Sequence, residues 1–294
     1  MKALVTGTAG FIGSTLTERL LADGAEVIGI DSFTDYYPRA TKEANLASLK
    51  ASSRFQLIDA RIQDADLGTL LRGCTHVFHL AAQAGVRRSW GADFASYTTN
   101  NVEATQVLLE ACKDASLDRL VYASSSSVYG DLASMPMRED ALPQPVSPYG
   151  VTKLAAEQLC NLYFVSYGVP VVSLRFFTVY GPRQRPDMGF HRFLRATLLD
   201  QPITLYGDGE QTRDFTFVHD VVDTLLAAAA KGLPGRVYNV GGGSRVSINE
   251  VFDMIGRVTG TPPTVSTNPA VMLQVMVESE RPAMGDRISA ELPK

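Results

Sequence analysis

Cysteine is scarce in this chain, with three among 294 residues, at Cys74, Cys112 and Cys160. Three scattered thiols make neither a disulfide framework nor a zinc site, so no metal is expected and a reducing cytoplasm is the expected compartment. A basic excess is missing too. The formal net charge is −4, which argues against general nucleic-acid affinity. No apolar run approaches the length of a membrane span. "MKALVTG" runs straight into a fold element, so no signal peptide is expected before it. Repeats and low-complexity tracts are absent. Apolar residues are plentiful: 45% are hydrophobic against 20% charged, enough for a sizeable core and too many for a disordered chain.

Short apolar runs recur through the first two-thirds: "KALVTG", "AEVIGID", "FQLID", "HVFHLAA", "RLVYASS" and "VPVVSLRFF". They are rich in Val, Ile and Leu and lack period-2 alternation, as strands buried on both faces should be. Helix-like stretches lie between them, at roughly 11–23, 92–115 and 147–168. Alternating strands and helices predict an α/β fold with a parallel sheet and right-handed crossovers. Past about residue 176 the regularity weakens, with helix patterns at roughly 190–200, 218–231 and 247–257 and one more strand in "GLPGRVYNVGGG". The expected organisation is a first domain over 1–176, with later segments at roughly 215–242 interleaved, and a smaller lobe over 177–294.

"VTGTAGFIG" puts Gly7, Gly10 and Gly13 between the first strand and the first helix. Missing side chains let backbone N–H groups approach a pyrophosphate at the helix N-terminus. Alone, this pattern also describes an ordinary tight turn. The candidates here are Gly7, Gly10, Phe11, Ile12 and Gly13. Asp31 ends the second strand at the expected distance, where a carboxylate accepts both adenosine ribose hydroxyls and repels a 2′-phosphate, so NAD is expected over NADP. "HLAAQAG" ends the fourth strand in small residues, leaving room for a cofactor against Ala81 and Ala82. His79, inside that strand, reads as a packed core histidine.

"SPYGVTKLAAEQL" sets Tyr149 and Lys153 four apart at a helix start, on one face. An unperturbed tyrosine has a pKa near ~10, too high for a good base at neutral pH. A nearby ammonium favours its phenolate. "YASSSSVYG" ends the fifth strand, with hydroxyls at the sheet edge where such folds bind ligands. A serine there can hydrogen-bond the oxygen being processed.

With these motifs in this order, the chain resembles the extended short-chain dehydrogenase/reductases, in particular the nucleotide-sugar epimerases and dehydratases. The resemblance covers residues 1 to about 260. It implies a Rossmann domain holding NAD and a C-terminal lobe holding a nucleotide-diphosphate sugar. It makes Ser125 the catalytic serine beside Tyr149 and Lys153, and turns Ser126 and Ser127 toward the sugar. Asn101 matches the helix motif in "NNVEAT", and Arg213 in "RDFTFVHD" matches the arginine on the nucleotide diphosphate. Dehydratase relatives carry an Asp-Glu pair where Ser126 and Ser127 stand, so a 4-epimerase is expected. "RFFTVYGPRQRPDM" is similar to the version in UDP-glucuronate 4-epimerases, as are "DSFTDYY" and "AAQAGVR", which brings Arg87 among the substrate residues. A sugar carboxylate at C6 suits a planar guanidinium. Thr178, Arg185 and Arg192 are the candidates, and either arginine could instead be solvated or bind phosphate. UDP-glucuronate decarboxylase is the alternative, then UDP-glucose 4-epimerase; an NAD-binding scaffold is a distant third. Where relatives place an adenine-binding aspartate stands Arg61, leaving Ile62 to pack on the ring. Asp286 is a weaker nucleotide candidate. The resemblance also implies a homodimer and no membrane partner.

Overall fold

The computed structural model describes residues 1–131 and 136–268. In chain order the elements begin β1 (Lys2–Thr6), α1 (Phe11–Ala22), β2 (Glu26–Asp31), α2 (Arg39–Asn45), β3 (Phe55–Asp59), α3 (Leu67–Leu70) and β4 (His76–His79). Next come α4 (Phe94–Tyr97), α5 (Ala104–Cys112), β5 (Arg119–Ser125), α6 (Pro148–Tyr167), β6 (Val171–Phe176) and β7 (Thr178–Tyr180). The remainder is α7 (Gly189–Leu198), β8 (Ile203–Tyr206), β9 (Thr212–Arg213), β10 (Phe215–Phe217), α8 (Val218–Lys231), β11 (Val237–Val240), β12 (Val246–Ser247), α9 (Ile248–Thr259) and β13 (Val265–Asn268). None of the described helices is long and apolar enough to cross a membrane.

Seven strands form one sheet in the order β11-β6-β5-β4-β1-β2-β3, parallel throughout. This is the Rossmann-like α/β fold expected from the apolar runs. Every residue of β6 is buried, as are all but the first of β5. That is why these runs read as continuous rather than alternating. Strand order reverses between β1 and β4, and the crevice beyond the carboxyl ends at such a point is where these sheets take ligands.

Two compact units are present. The first comprises Met1–Arg185 and Asp214–Gly243 and contains the sheet. The second contains Pro186–Arg213 and the chain from Ser244. The segment 177–185, expected in the smaller lobe, therefore belongs to the first unit. Its β7 pairs in parallel with β10, and three-residue strands carry too little pattern to be read from sequence. In the second unit Ile203, Leu205 and Phe252 are buried against Phe193, Ala196 and Ile248. There α9 starts with a reciprocal Ser247–Glu250 capping box, the arrangement that satisfies two helix-end N–H groups at once.

The helix expected over roughly 92–115 is interrupted. A wide π-helical stretch at Thr98–Glu103 joins α4 to α5. Asn101 sits in it, 1% exposed. Its Oδ1 accepts from Gln83 N at 2.7 Å, and its Nδ2 donates to Gln83 O at 3.1 Å and Thr152 Oγ1 at 3.0 Å. Asn101 thus pins the loop after β4 to α6.

His79 is a core residue. Its Nδ1 shares a hydrogen bond with Thr6 Oγ1 at 2.7 Å and its Nε2 with Thr105 Oγ1 at 2.9 Å. Burial pushes its pKa down to about 3. Below pH 6.5 the unfolded chain takes up a proton here that the folded chain refuses, so stability falls as pH drops toward 3. His79→Phe should cost about 1–3 kcal/mol at pH 7, because the buried Thr6 hydroxyl loses its acceptor, and flatten that acid decline. Urea unfolding at pH 7 and pH 5 measures both effects.

Candidate active site

The first helix begins without a side-chain cap. Gly10 is its N-cap, and the residues before it fold back, with Gly10 N donating to Gly7 O at 3.0 Å. Gly7 has φ +73°, and a methyl group there would lie 2.9 Å from the Ala81 backbone. A methyl on Gly13 would overlap the Gly7 carbonyl oxygen. The turn is packed this tightly against the end of β4 because Leu80 N and Ala81 N both donate to Thr6 Oγ1, at 3.1 Å each. The result is a side-chain-free cradle at the point of strand reversal, with helix N–H groups open to an anion. Phe11 and Ile12 open α1, with Phe11 buried and Ile12 partly so.

Asp31 closes the other side. Its Oδ2 accepts from Ala9 N at 3.0 Å and its Oδ1 from Phe33 N at 2.9 Å. Burial raises its pKa, opposed by these N–H groups and by Lys42. A carboxylate has about four acceptor sites, so the two bonds leave capacity for a ribose. Ala81 is half-buried and Ala82 exposed. Ile62 is 5% exposed and packs into the core cluster of Leu4, Ile28 and Ile30. The cradle fits a dinucleotide with an unphosphorylated ribose.

The second group gathers where β5 meets α6. Ser147 caps the helix by accepting from Gly150 N at 3.1 Å, and Pro148 follows in its first turn. This fixes Tyr149 at the mouth. Ser125 Oγ accepts from Ser127 N at 3.1 Å, and the Ser125 hydroxyl favours the Tyr149 phenolate. Ser126 and Ser127 begin a short 3-10 turn and are half-buried. The Tyr97 ring stands edge-on to Tyr149, centroids 6.2 Å apart. One turn on, Lys153 is 3% exposed, with its ammonium 4.6 Å from the centre of the Tyr122 ring. Burial pushes its pKa down to about 8, against the opposing pull of Cys160 and Glu157. Burial also raises the Tyr149 pKa, while the Ser125 hydroxyl and the charge of Arg185 lower it.

The charge of Arg185 thus acts on Tyr149, and both residues belong to the first unit. The guanidinium lies 5.9 Å from the centre of the Tyr36 ring, and Tyr36 belongs to the "DSFTDYY" segment. Thr178 opens β7, half-buried, its N–H donating to Asp214 O at 3.1 Å. Arg87 starts a 3-10 turn and is exposed. Arg192 on α7 and Arg213 at the end of β9 are exposed residues of the second unit. Asp286, like the "MLQVMV" segment, lies outside the described residues.

Other arginines near Arg185 in sequence are committed elsewhere. Arg183 reaches Glu18 on α1 at 2.9 Å. Arg175 is 3% exposed and makes a two-pronged bond to Glu157. Sequence reasoning missed the Glu157 partnership, although Glu157 falls four residues after Lys153, at the spacing that shares a helix face.

The model of the NAD dependent epimerase/dehydratase family matches residues 3–241. A Bacillus subtilis protein described as an uncharacterized UDP-glucose epimerase, YtcB, is 48% identical over 90% of this chain and 84% of its own length. The UDP-glucuronate 4-epimerase of Thermodesulfobacterium geofontis is 40% identical over 87% of this chain and 80% of its own. The crystal structure of UDP-glucuronic acid 4-epimerase from Bacillus cereus, in complex with UDP-glucuronic acid and NAD, superposes with a TM-score of 0.88. It is 49% identical, covering 91% of this chain and 86% of that one. Cradle, serine–tyrosine–lysine group and relatives agree: the chain belongs to the NAD-dependent epimerase/dehydratase family, as an isomerase that uses NAD.

Proposed function

We propose that this enzyme interconverts UDP-glucuronate and UDP-galacturonate by epimerisation at C4. The feature that carries the reading is Arg185, whose guanidinium lies 5.9 Å from the centre of the Tyr36 ring in the uronate-like "DSFTDYY" segment and whose charge favours the Tyr149 phenolate. The C6 carboxylate hangs on C5, the ring carbon next to the C4 whose hydroxyl Tyr149 would handle. A guanidinium there binds it by charge-assisted hydrogen bonds, and Thr178 offers a hydroxyl. The Bacillus subtilis relative makes UDP-glucose the alternative substrate.

In this reading Tyr149 Oη accepts the proton of the sugar 4-hydroxyl, Ser125 steadies that oxygen, and Lys153 supplies the positive charge that holds the phenolate. When bound in the cradle, NAD would supply hydride-transfer chemistry at C4. The 4-keto sugar must turn over in the site before Tyr149 gives the proton back. Ser126 and Ser127 carry no acid–base pair for removing a C5 proton and expelling the C6 oxygen, which favours epimerisation over dehydration. A 4-keto uronate is a β-keto acid and loses CO₂ when the carboxylate bond aligns with the carbonyl π system. Arg185 and Thr178 hold the carboxylate away from that alignment.

The remaining assignments follow. Gly7, Gly10, Phe11, Ile12, Gly13 and Asp31 hold the dinucleotide, with Ile62, Ala81 and Ala82 beside it. Asn101 acts through Gln83 and Thr152, to which its amide is bonded. Arg87, in the first unit, is kept as a residue for the sugar substrate. A homodimer is proposed as well, since α6 exposes Val151, Leu162 and Val165 on one side, an apolar face that a second copy would cover.

Arg185→Ala should lower kcat/KM on UDP-glucuronate about 10²-fold, the scale of a lost charged hydrogen bond. The Kd for UDP, read by calorimetry, should change far less. Equal loss of UDP affinity would move Arg185 to the phosphates and remove the main support for a uronate substrate.

A further inference from the structure

We propose that Glu157, locked in place by Arg175, is a positioning residue for the reaction: it anchors the strand end that carries Ser125 and supplies the counter-charge behind Lys153. The proposal rests on the roles given above to Ser125, Tyr149 and Lys153.

Tyr149, Lys153 and Glu157 follow one another at intervals of four along α6, so they lie on one helix face. Glu157 is 2% exposed. Its Oε2 accepts from Ser124 Oγ at 2.5 Å and from Arg175 Nε at 3.0 Å, and its Oε1 from Arg175 Nη2 at 2.6 Å. Arg175 is held in turn. Its Nη1 donates to Tyr129 Oη at 2.8 Å and to Glu139 O at 3.3 Å, and the guanidinium lies 4.7 Å from the centre of the Tyr129 ring. Tyr129 Oη donates to Asn239 Oδ1 at 2.7 Å. One carboxylate thus ties α6 to β5 and β6, and through Tyr129 to β11.

Two features point beyond scaffolding. A buried ion pair is weak support for stability, because an apolar pair of similar volume is often as good or better. Ser124, which donates to this carboxylate, is also the residue immediately before Ser125, so the bond sets the strand end from which Ser125 reaches Tyr149. The charge balance around Lys153 gives a second role. Lys153 faces the Tyr122 ring and the neutral His79 on the sheet, with Cys160 on its own helix. Burial keeps the Tyr122 hydroxyl and the Cys160 thiol protonated. Arg175 faces Glu157 from β6, and Glu139 reaches Arg175 only through its backbone carbonyl. Glu157 thus holds one buried cation, Arg175, by hydrogen bonds and lies one helical turn from another, Lys153, whose ammonium form it favours.

The test is the pH profile of kcat for the NAD-loaded enzyme, measured for wild type, Glu157→Gln and Glu157→Asp. Loss of the counter-charge in Glu157→Gln should move the alkaline limb down by about one pH unit, with KM changed less than about threefold, and Glu157→Asp should restore most of that shift. An alkaline limb that stays in place in Glu157→Gln overturns the electrostatic role. Ser124→Ala keeps every charge and reads the anchoring role, including when Glu157→Gln yields no folded protein. It should lower kcat about tenfold at all pH with KM unchanged, and an unchanged kcat overturns that role. The wild-type profile is taken on both UDP-glucuronate and UDP-glucose, so an error in substrate shows in the wild type and an error in this proposal shows only in the variants.

Discussion

Tyr149→Phe should leave the enzyme folded and loaded with NAD, with turnover lowered at least about 10³-fold. The substitution removes one oxygen. The ring and its edge-on packing with Tyr97 stay. On the proposed mechanism, what is lost is the proton acceptor. Burial alone works against that acceptor by raising its pKa, as burial does for any phenol. The Ser125 hydroxyl and the Arg185 charge push it back, and Lys153 lies one helical turn away. A phenylalanine makes all three pointless at once, which is why the expected effect exceeds that of altering any one of them. Product chromatography gives the rate, and the absorbance of nucleotide released on denaturation gives the NAD content. Turnover close to wild type would move proton transfer off Tyr149 and reopen the scaffold reading of this fold.

The second large effect concerns the cradle. Gly13→Ala and Gly10→Ala should separate folding from cofactor binding. A methyl on Gly13 collides with the Gly7 carbonyl oxygen, a backbone atom that cannot swing away. This variant should lose both thermal stability and NAD. A methyl on Gly10 meets only the Gly7 oxygen, at 3.1 Å, so the fold should survive with a small drop in Tm. Gly10 is nevertheless the N-cap of the uncapped helix, where close backbone approach serves a pyrophosphate. NAD affinity should fall about 30-fold or more, roughly 2 kcal/mol. Calorimetric titration with NAD, paired with thermal unfolding, measures both. Unchanged NAD affinity in folded Gly10→Ala would contradict the placement of the pyrophosphate.

The inner strands were legible because burial on both faces leaves Val, Ile and Leu runs, while the edge strands β3 and β11, which are partly buried or exposed, were marked by shorter apolar runs. Local spacing also exposed the glycine turn and the Tyr149–Lys153 pair. Features made by distant residues were hidden. The π-helical stretch at Thr98–Glu103 follows no apolar period and is secured by Asn101 reaching Gln83 and Thr152. The boundary after Arg185 depends on β7 finding β10, a pairing of two three-residue strands. Spacing alone did not separate the arginines between Arg175 and Arg195, and the resemblance singled out Arg185 and Arg192. Folding sorts them, with Arg175 bound to Glu157, Arg183 to Glu18 and the charge of Arg185 acting on Tyr149. Partner choice of that kind is set by the packing of α6 on the sheet, which residue spacing on one segment does not reveal.

The central claim is tested most directly by incubating the NAD-loaded enzyme with UDP-glucuronate and resolving the products by NMR. UDP-galacturonate in equilibrium with its C4 epimer, without CO₂ release, is the predicted result. UDP-xylose as the main product, or turnover of UDP-glucose with none of UDP-glucuronate, would contradict it.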